Sequence, residues 1–187
     1  MEQDDDMGLI GGVEDLRYGG AVDEILAIGF YGIAVVKSDE TVVSVMTFAE
    51  PYRVIGADHT PAGWQVLVRE EGGLVNYRHE SDGWQSVTLD AGDEEPGSAV
   101  WSPRGDRVAV GFRYGGMAAF DVQTGRVDVS LRVEWTTEGE HINPLEHHLH
   151  DWSRCGRYVL GRVGNFLGGG IVVWDLEAGK PRLLASL

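Results

Sequence analysis

One pattern, written twice, sets the strongest limit on how this chain can fold. The first copy reads Trp101-Ser102-Pro103-Arg104-Gly105-Asp106-Arg107-Val108-Ala109-Val110, then Phe120-Asp121-Val122-Gln123-Thr124-Gly125. The second reads Trp152-Ser153-Arg154-Cys155-Gly156-Arg157-Tyr158-Val159-Leu160, then Trp174-Asp175-Leu176-Glu177-Ala178-Gly179. Trp-Ser and its following Gly recur at a spacing of 51 residues, and the aromatic-Asp pair and its Gly at a spacing of 54. The small length difference falls in the loop between the second and third strands. A repeat that changes length only in a loop is a supersecondary unit used more than once.

Each copy reads as a four-stranded antiparallel unit. Ser-Pro-Arg-Gly and Ser-Arg-Cys-Gly are turn sequences with Gly where a positive φ is cheap. Val108-Ala109-Val110 and Tyr158-Val159-Leu160 are short β-rich runs. Thr124-Gly125 and Ala178-Gly179 close hairpins into Val127–Leu131 and Pro181–Leu187. On Trp101-Ser102-Pro103, Phe120-Asp121…Gly125 and Trp174-Asp175…Gly179 the chain resembles the WD-repeat β-propeller family. That resemblance covers about the last half of the chain. It implies a scaffold of radial blades in which the Asp-bearing stretch is structural. The family's Gly-His dipeptide is absent at both places where it would fall, so looser propeller repeats such as the TolB type stay open.

The same grammar runs upstream. Glu24–Phe30, Gly32–Lys37 and Thr41–Met46 read as buried strands, with Gly interrupting every run too often for a long helix. Gly63–Arg69, Leu74–Arg78 and Trp84–Leu89 follow, joined by Gly-Gly and Asp-Gly hairpin signals. Aligning second strands at Ile25, Gln65, Val108 and Val159 gives an all-β, propeller-like array of about four four-stranded blades. Their bounds are approximately 21–50, 51–92, 93–135 and 146–187, with a long loop over 134–151 and an acidic, Gly-rich segment over 1–20. A compact four-bladed ring is the favoured closure. An array completed by a partner or a second copy, and part of a larger ring, stay open; a β-sandwich is the alternative fold.

Composition narrows the function classes. The formal charge is −15, and Lys37 and Lys180 are the only lysines. Such an acidic, lysine-poor surface resembles halophilic proteins that stay hydrated in concentrated salt. Nucleic acid is disfavoured as a partner because phosphate binding needs clustered cations, and here the arginines are scattered. No apolar run reaches the ~20 residues of a membrane span. The acidic start Met1-Glu2-Gln3-Asp4-Asp5-Asp6 is unlike a signal peptide, and the single Cys155 fits a reducing compartment. The expectation is a cytoplasmic protein.

The segment Glu134–Asp151 departs from the blade pattern, holding four of the six histidines and five carboxylates. His141, His148, His150 and Asp151 are the candidate metal ligands, since imidazole and carboxylate suit a divalent ion such as zinc. On a strand His148 and His150 point to one side and His147 to the other. No HExxH or CxxC frames them, which favours a solvated polar loop instead and no bound cofactor.

In a propeller, loops between blades share a face with loops between second and third strands. That face would gather Asp93, Glu94, Arg113, Tyr114, Trp135 and Phe166, and loops on a rigid scaffold are where function concentrates. Ser102 and Ser153 lack a nucleophile elbow, and Gly168-Gly169-Gly170 lacks the Lys of a phosphate loop. Asp121 and Asp175 read as acceptors for turn amides, and the tryptophans as filling between blades. With no catalytic constellation, the leading expectation is a non-enzymatic scaffold that presents the loop face to another protein chain. The alternatives are a metal-dependent enzyme or small-ligand binder using His141–Asp151, and a subunit or homo-oligomer completing a larger assembly.

Overall fold

The computed structural model describes residues 13–19, 23–48, 52–113, 116–132, 146–165 and 168–186. They form sixteen strands. The first sheet holds β1 (Val13–Tyr18), β2 (Glu24–Gly29), β3 (Gly32–Lys37) and β4 (Val42–Thr47). The second holds β5 (Tyr52–Thr60), β6 (Gly63–Glu70), β7 (Gly73–Glu80) and β8 (Gly83–Leu89). The third holds β9 (Pro96–Trp101), β10 (Arg107–Phe112), β11 (Gly116–Asp121) and β12 (Val127–Arg132). The fourth holds β13 (Glu146–Trp152), β14 (Tyr158–Asn165), β15 (Gly168–Asp175) and β16 (Lys180–Ser186). Each sheet is a four-stranded antiparallel meander in chain order, so each is one blade. Among the described residues no helix is long and apolar enough to cross a membrane.

The first blade takes its inner strand from before residue 20. β1 pairs with β2 from Tyr18↔Ile25 to Val13↔Gly29, so residues 13–18 of the acidic segment over 1–20 form a strand of the first blade. The Gly29-Phe30-Tyr31-Gly32 stretch, read from sequence as strand up to Phe30, is a hairpin turn that leaves both aromatics exposed.

The repeated turns explain why the two copies look alike. In each, the Gly amide donates to the Ser carbonyl three residues back (Gly105 to Ser102 and Gly156 to Ser153, both 2.8 Å). The Ser hydroxyl then accepts from the amide that opens the next strand, Arg107 at 3.1 Å and Tyr158 at 2.9 Å. Both glycines have positive φ, 70° and 76°, where a Cβ is strained. Asp121 Oδ1 accepts from the amides of Gln123 and Thr124, and Asp175 Oδ1 from those of Glu177 and Ala178. The aromatic-Asp signature is thus a hairpin cap.

The core lies between blades, in three layers. Leu26, Ile28, Ile33 and Val35 of the first blade meet Trp64, Val66 and Val68 of the second. Leu67, Leu74 and Leu89 of the second meet Trp101, Val108, Val110 and Phe120 of the third. Ala109, Met117, Ala119 and Leu131 of the third meet Trp152, Val159, Val172 and Trp174 of the fourth. Burying one large apolar side chain is worth roughly 1.5–3 kcal/mol, so these layers fix the stacking order. Inner strands touch closely at β5/β9 and β9/β13 and slightly at β1/β5. Among the described residues the four blades stack as an arc in which no apolar layer joins the fourth blade to the first.

Two of the layers carry a polar hook. Between the second and third blades, Gln65 Nε2 donates to the Gly105 carbonyl at 2.8 Å and to Thr60 Oγ1 at 3.1 Å. Asn76 Nδ2 donates to Gln65 Oε1 at 3.0 Å, and Trp101 Nε1 donates to Asn76 Oδ1 at 3.2 Å. Between the third and fourth blades Arg107 takes the place of Gln65: its Nη2 donates to the Gly156 carbonyl at 3.3 Å, and its guanidinium lies 5.3 Å from the Trp152 ring centroid. Ala119 stands where Asn76 would be, and the buried Trp152 Nε1 has no partner among the described residues.

Candidate functional site: the loop face

The meander topology sends the β2–β3 and β10–β11 turns, the β8–β9 connection and the starts of β5, β9 and β13 to one end of the arc. Two clefts open there. One of about 520 Å³ lies between the first two blades, lined by Glu14, Arg17, Phe30, Tyr52 and Arg53 among others. The other, of about 250 Å³, lies where the second, third and fourth blades converge, lined by Arg53, Glu95, Pro96, Gly97, Arg113, His147 and His148. Arg53 lines both, and the two clefts together make up the mouth of this face.

A charged pair lines the second cleft, Arg113 Nη1 meeting Glu95 Oε2 at 3.0 Å, and Arg132 Nη2 meets Glu94 Oε1 at 2.7 Å beside a separate pocket of the third blade. Exposed pairs of this kind contribute roughly 0–1 kcal/mol, so they shape the surface more than they stabilise it. Phe30 is 56% and Tyr31 50% exposed on the β2–β3 turn. Beneath them Tyr52 donates its hydroxyl to the Gly29 carbonyl at 2.9 Å, which anchors the turn to the second blade.

Of the residues expected on this face from sequence, Asp93, Glu94 and Arg113 lie there. Tyr114, Trp135 and Phe166 lie outside the described residues, as does His141. Phe30, Tyr31 and Arg53 were missed, because the β-rich run around Phe30 hid a two-residue turn. The spacing of 51 that defines the later blades did not extend to it.

The β13 histidines alternate as a strand requires. His148 and His150 are exposed, whereas His147 is 1% exposed beside Trp174, ring centroids 5.8 Å apart. A bulge at His150 leaves Asp151 exposed as well, and Asp151 Oδ1 accepts from its neighbour's amide, Trp152 N, at 2.7 Å. Among the described residues no three of His, Cys, Asp and Glu are grouped to hold one ion. Neither ring nitrogen of His147 has a partner among the described residues. Burial, and secondarily the neighbouring His148, push its pKa down to about 4. Ser98 ties the adjacent strands together here, donating to the His147 carbonyl at 3.1 Å and accepting from Leu149 N at 2.8 Å.

The other candidates are structural or superficial. Arg104 and Asp106 form an exposed ion pair at 2.7 Å. Cys155 is exposed, its thiol 3.3 Å from Ser153 Oγ; that hydrogen bond is the largest cause holding its pKa below the usual thiol value.

Fold and face together define a protein of the all-β propeller class. Among solved structures the chain is similar to Kluyveromyces lactis Hsv2, a yeast β-propeller. One such structure, described with a complete loop 6CD, aligns at TM-score 0.63 and 14% identity over 88% of this chain and 48% of that one. A second aligns at TM-score 0.63 and 15% identity, over 88% and 49%. The chain therefore spans about half the length of these structures. No family model matches the sequence, and no curated protein is significantly similar to it.

Proposed function

We propose that the chain is a non-enzymatic interaction platform of WD-repeat type whose loop face docks another protein chain. The observation that carries this reading is the exposed Phe30–Tyr31 pair on the β2–β3 turn, where Phe30 lines the first cleft with Arg17 and Arg53, and Arg113 and Glu95 line the second. Exposed aromatics ringed by charge are the composition of a protein interface, with an apolar centre and a polar rim. The aromatics sit on a tight hairpin turn tied down by Tyr52, so little ordering entropy is lost on binding.

The test is site-specific photocrosslinking in the native cell, with a photoreactive phenylalanine at Tyr31 and, as a control, at Gln123 on the opposite end. A discrete protein adduct from position 31, absent at 123 and lost with Phe30→Ser, supports the reading. Equal labelling from both positions, or none from 31, overturns it.

A further inference from the structure

The second cleft has a charge balance opposite to that of the chain around it. Carboxylates outnumber basic residues 30 to 15 over the whole sequence. In this cleft the fixed charges are the guanidiniums of Arg53 and Arg113 against one carboxylate, Glu95. The first cleft is balanced, with Glu14 and Asp15 set against Arg17 and Arg53. Two imidazoles, His147 and His148, complete the polar lining of the second.

That lining is fixed by main-chain bonds before any ligand arrives. Arg113 N donates to the Glu95 carbonyl at 2.9 Å, which holds the β10–β11 turn against the start of β9. Ser98 ties β9 to β13, donating to the His147 carbonyl at 3.1 Å and accepting from Leu149 N at 2.8 Å. Gly97 adds no side chain to this wall, which leaves the space beside it open. Arg53 arrives from the start of β5, where it pairs in register with Arg69. It is exposed and enters no ion pair among the described residues. Groups placed in this way lose little freedom when a ligand binds.

The cleft also selects the size and charge of what it can hold. Its volume of about 250 Å³ lies below the ~300–1,000 Å³ of pockets that take drug-sized ligands. Neither ring nitrogen of the buried His147 has a partner among the described residues. Burial keeps that imidazole neutral, so it brings a donor to the wall but no charge. The two guanidiniums and Glu95 then leave one net positive charge. We propose that the second cleft binds a small organic acid through a single carboxylate, held by Arg53 and Arg113 where three blades converge. A guanidinium fork matches a planar carboxylate, and such charge-assisted bonds are stronger than neutral ones. A phosphate dianion would exceed the available charge and stand against Glu95. The site needs no partner chain, so it stands or falls separately from docking on Phe30 and Tyr31.

The experiment is titration of the whole chain with propionate, propionamide and inorganic phosphate at constant ionic strength, followed by amide signals in nitrogen-15 NMR. Propionate is expected to move the Gly97 and Arg113 signals to saturation, and to bind more tightly than phosphate. Propionamide, of the same shape without the charge, leaves them in place. Arg53→Gln and Arg113→Gln are each expected to raise the propionate dissociation constant about tenfold, the effect of losing one charge-assisted hydrogen bond. Arg53 is exposed, so its variant keeps the fold even where Arg113→Gln does not. Arg126→Gln, in the β11–β12 turn at the other end of the arc, leaves the constant unchanged. Shifts that never saturate, or that propionamide reproduces, overturn the proposal. So does tighter binding of phosphate, or a propionate constant that Arg53→Gln fails to move.

Discussion

Asn76 and His147 are both buried polar side chains in inter-blade layers, and the structure treats them oppositely. Asn76 sits mid-chain in a satisfied network, accepting from Trp101 and donating to Gln65. Asn76→Leu keeps the volume and strands both neighbours, and a buried group left without its partner costs ~1–3 kcal/mol. The expected loss is about 3 kcal/mol by denaturant titration, with a smaller further loss when Trp101→Phe is added, because the indole N–H has by then already lost its acceptor. His147 has no such partners among the described residues, and burial favours its neutral form. Its folded pKa, about 4, lies below the ordinary value of 6.5. The unfolded chain therefore binds the extra proton between these values, and stability is full above pH 6.5 and lost as pH falls towards 4. Thermal melts across that window are expected to fall by on the order of 3 kcal/mol equivalent at most. His147→Phe should flatten that part of the profile; an unchanged slope would show that other groups carry it. Neither role was legible in the sequence. Asn76 lies in a run that reads only as strand; strand alternation set His147 apart from His148 and His150 but did not show that its side would be buried against Trp174.

At the scale of the element, the sequence was most legible where local chemistry dictates the backbone. Ser102 and Ser153 cap identical turns, and Asp121 and Asp175 cap identical hairpins, because short side-chain oxygens and positive-φ glycines act within a few residues. Strand β1 was poorly legible, since its pairing partner lies across a Gly-rich connection and its apolar residues Leu16 and Tyr18 are too few to show a period. Equal turns are not equal in their surroundings, which gives a sharp comparison. A Cβ on Gly105 would come within 2.5 Å of Thr60 Oγ1, whereas on Gly156 the nearest atom is the flexible Arg107 Nη2 at 3.8 Å. Both substitutions force a left-handed residue, worth about 1 kcal/mol. Gly105→Ala also pushes apart the second and third blades where Gln65 hooks on. Gly156→Ala is expected to lose about 1 kcal/mol and Gly105→Ala at least twice that. Equal losses by chemical denaturation would mean that the hook tolerates displacement.

At the scale of the whole molecule, periodicity revealed the blade count and the all-β class, but not the closure of the array. Repeats report what each blade does to its neighbour, and ring closure depends on how far each layer rotates the next, which side-chain patterns do not encode. The loop face was only partly legible for the same reason: topology predicted where Arg113 and Glu94 gather, while Phe30 and Tyr31 reached it through a turn hidden in an apolar run. Charge acts at this scale as well. A formal −15 spread over one small arc repels itself, and dissolved salt screens such repulsion, the Debye length falling from ~10 Å at 0.1 M to ~3 Å at 1 M. The paired arginines Arg113, Arg132 and Arg157 each hold carboxylates within 3.0 Å or closer and lose attraction in the same medium. Carboxylates outnumber basic residues 30 to 15, so repulsion is the larger effect and the melting temperature is expected to rise steadily with potassium chloride. Replacing Glu71, Asp82 and Asp128, exposed and without an ion pair among the described residues, with lysine should raise stability in dilute buffer and flatten the salt dependence. A melting temperature that falls with added salt, in the parent chain as in the triple variant, would show instead that these ion pairs outweigh the net charge.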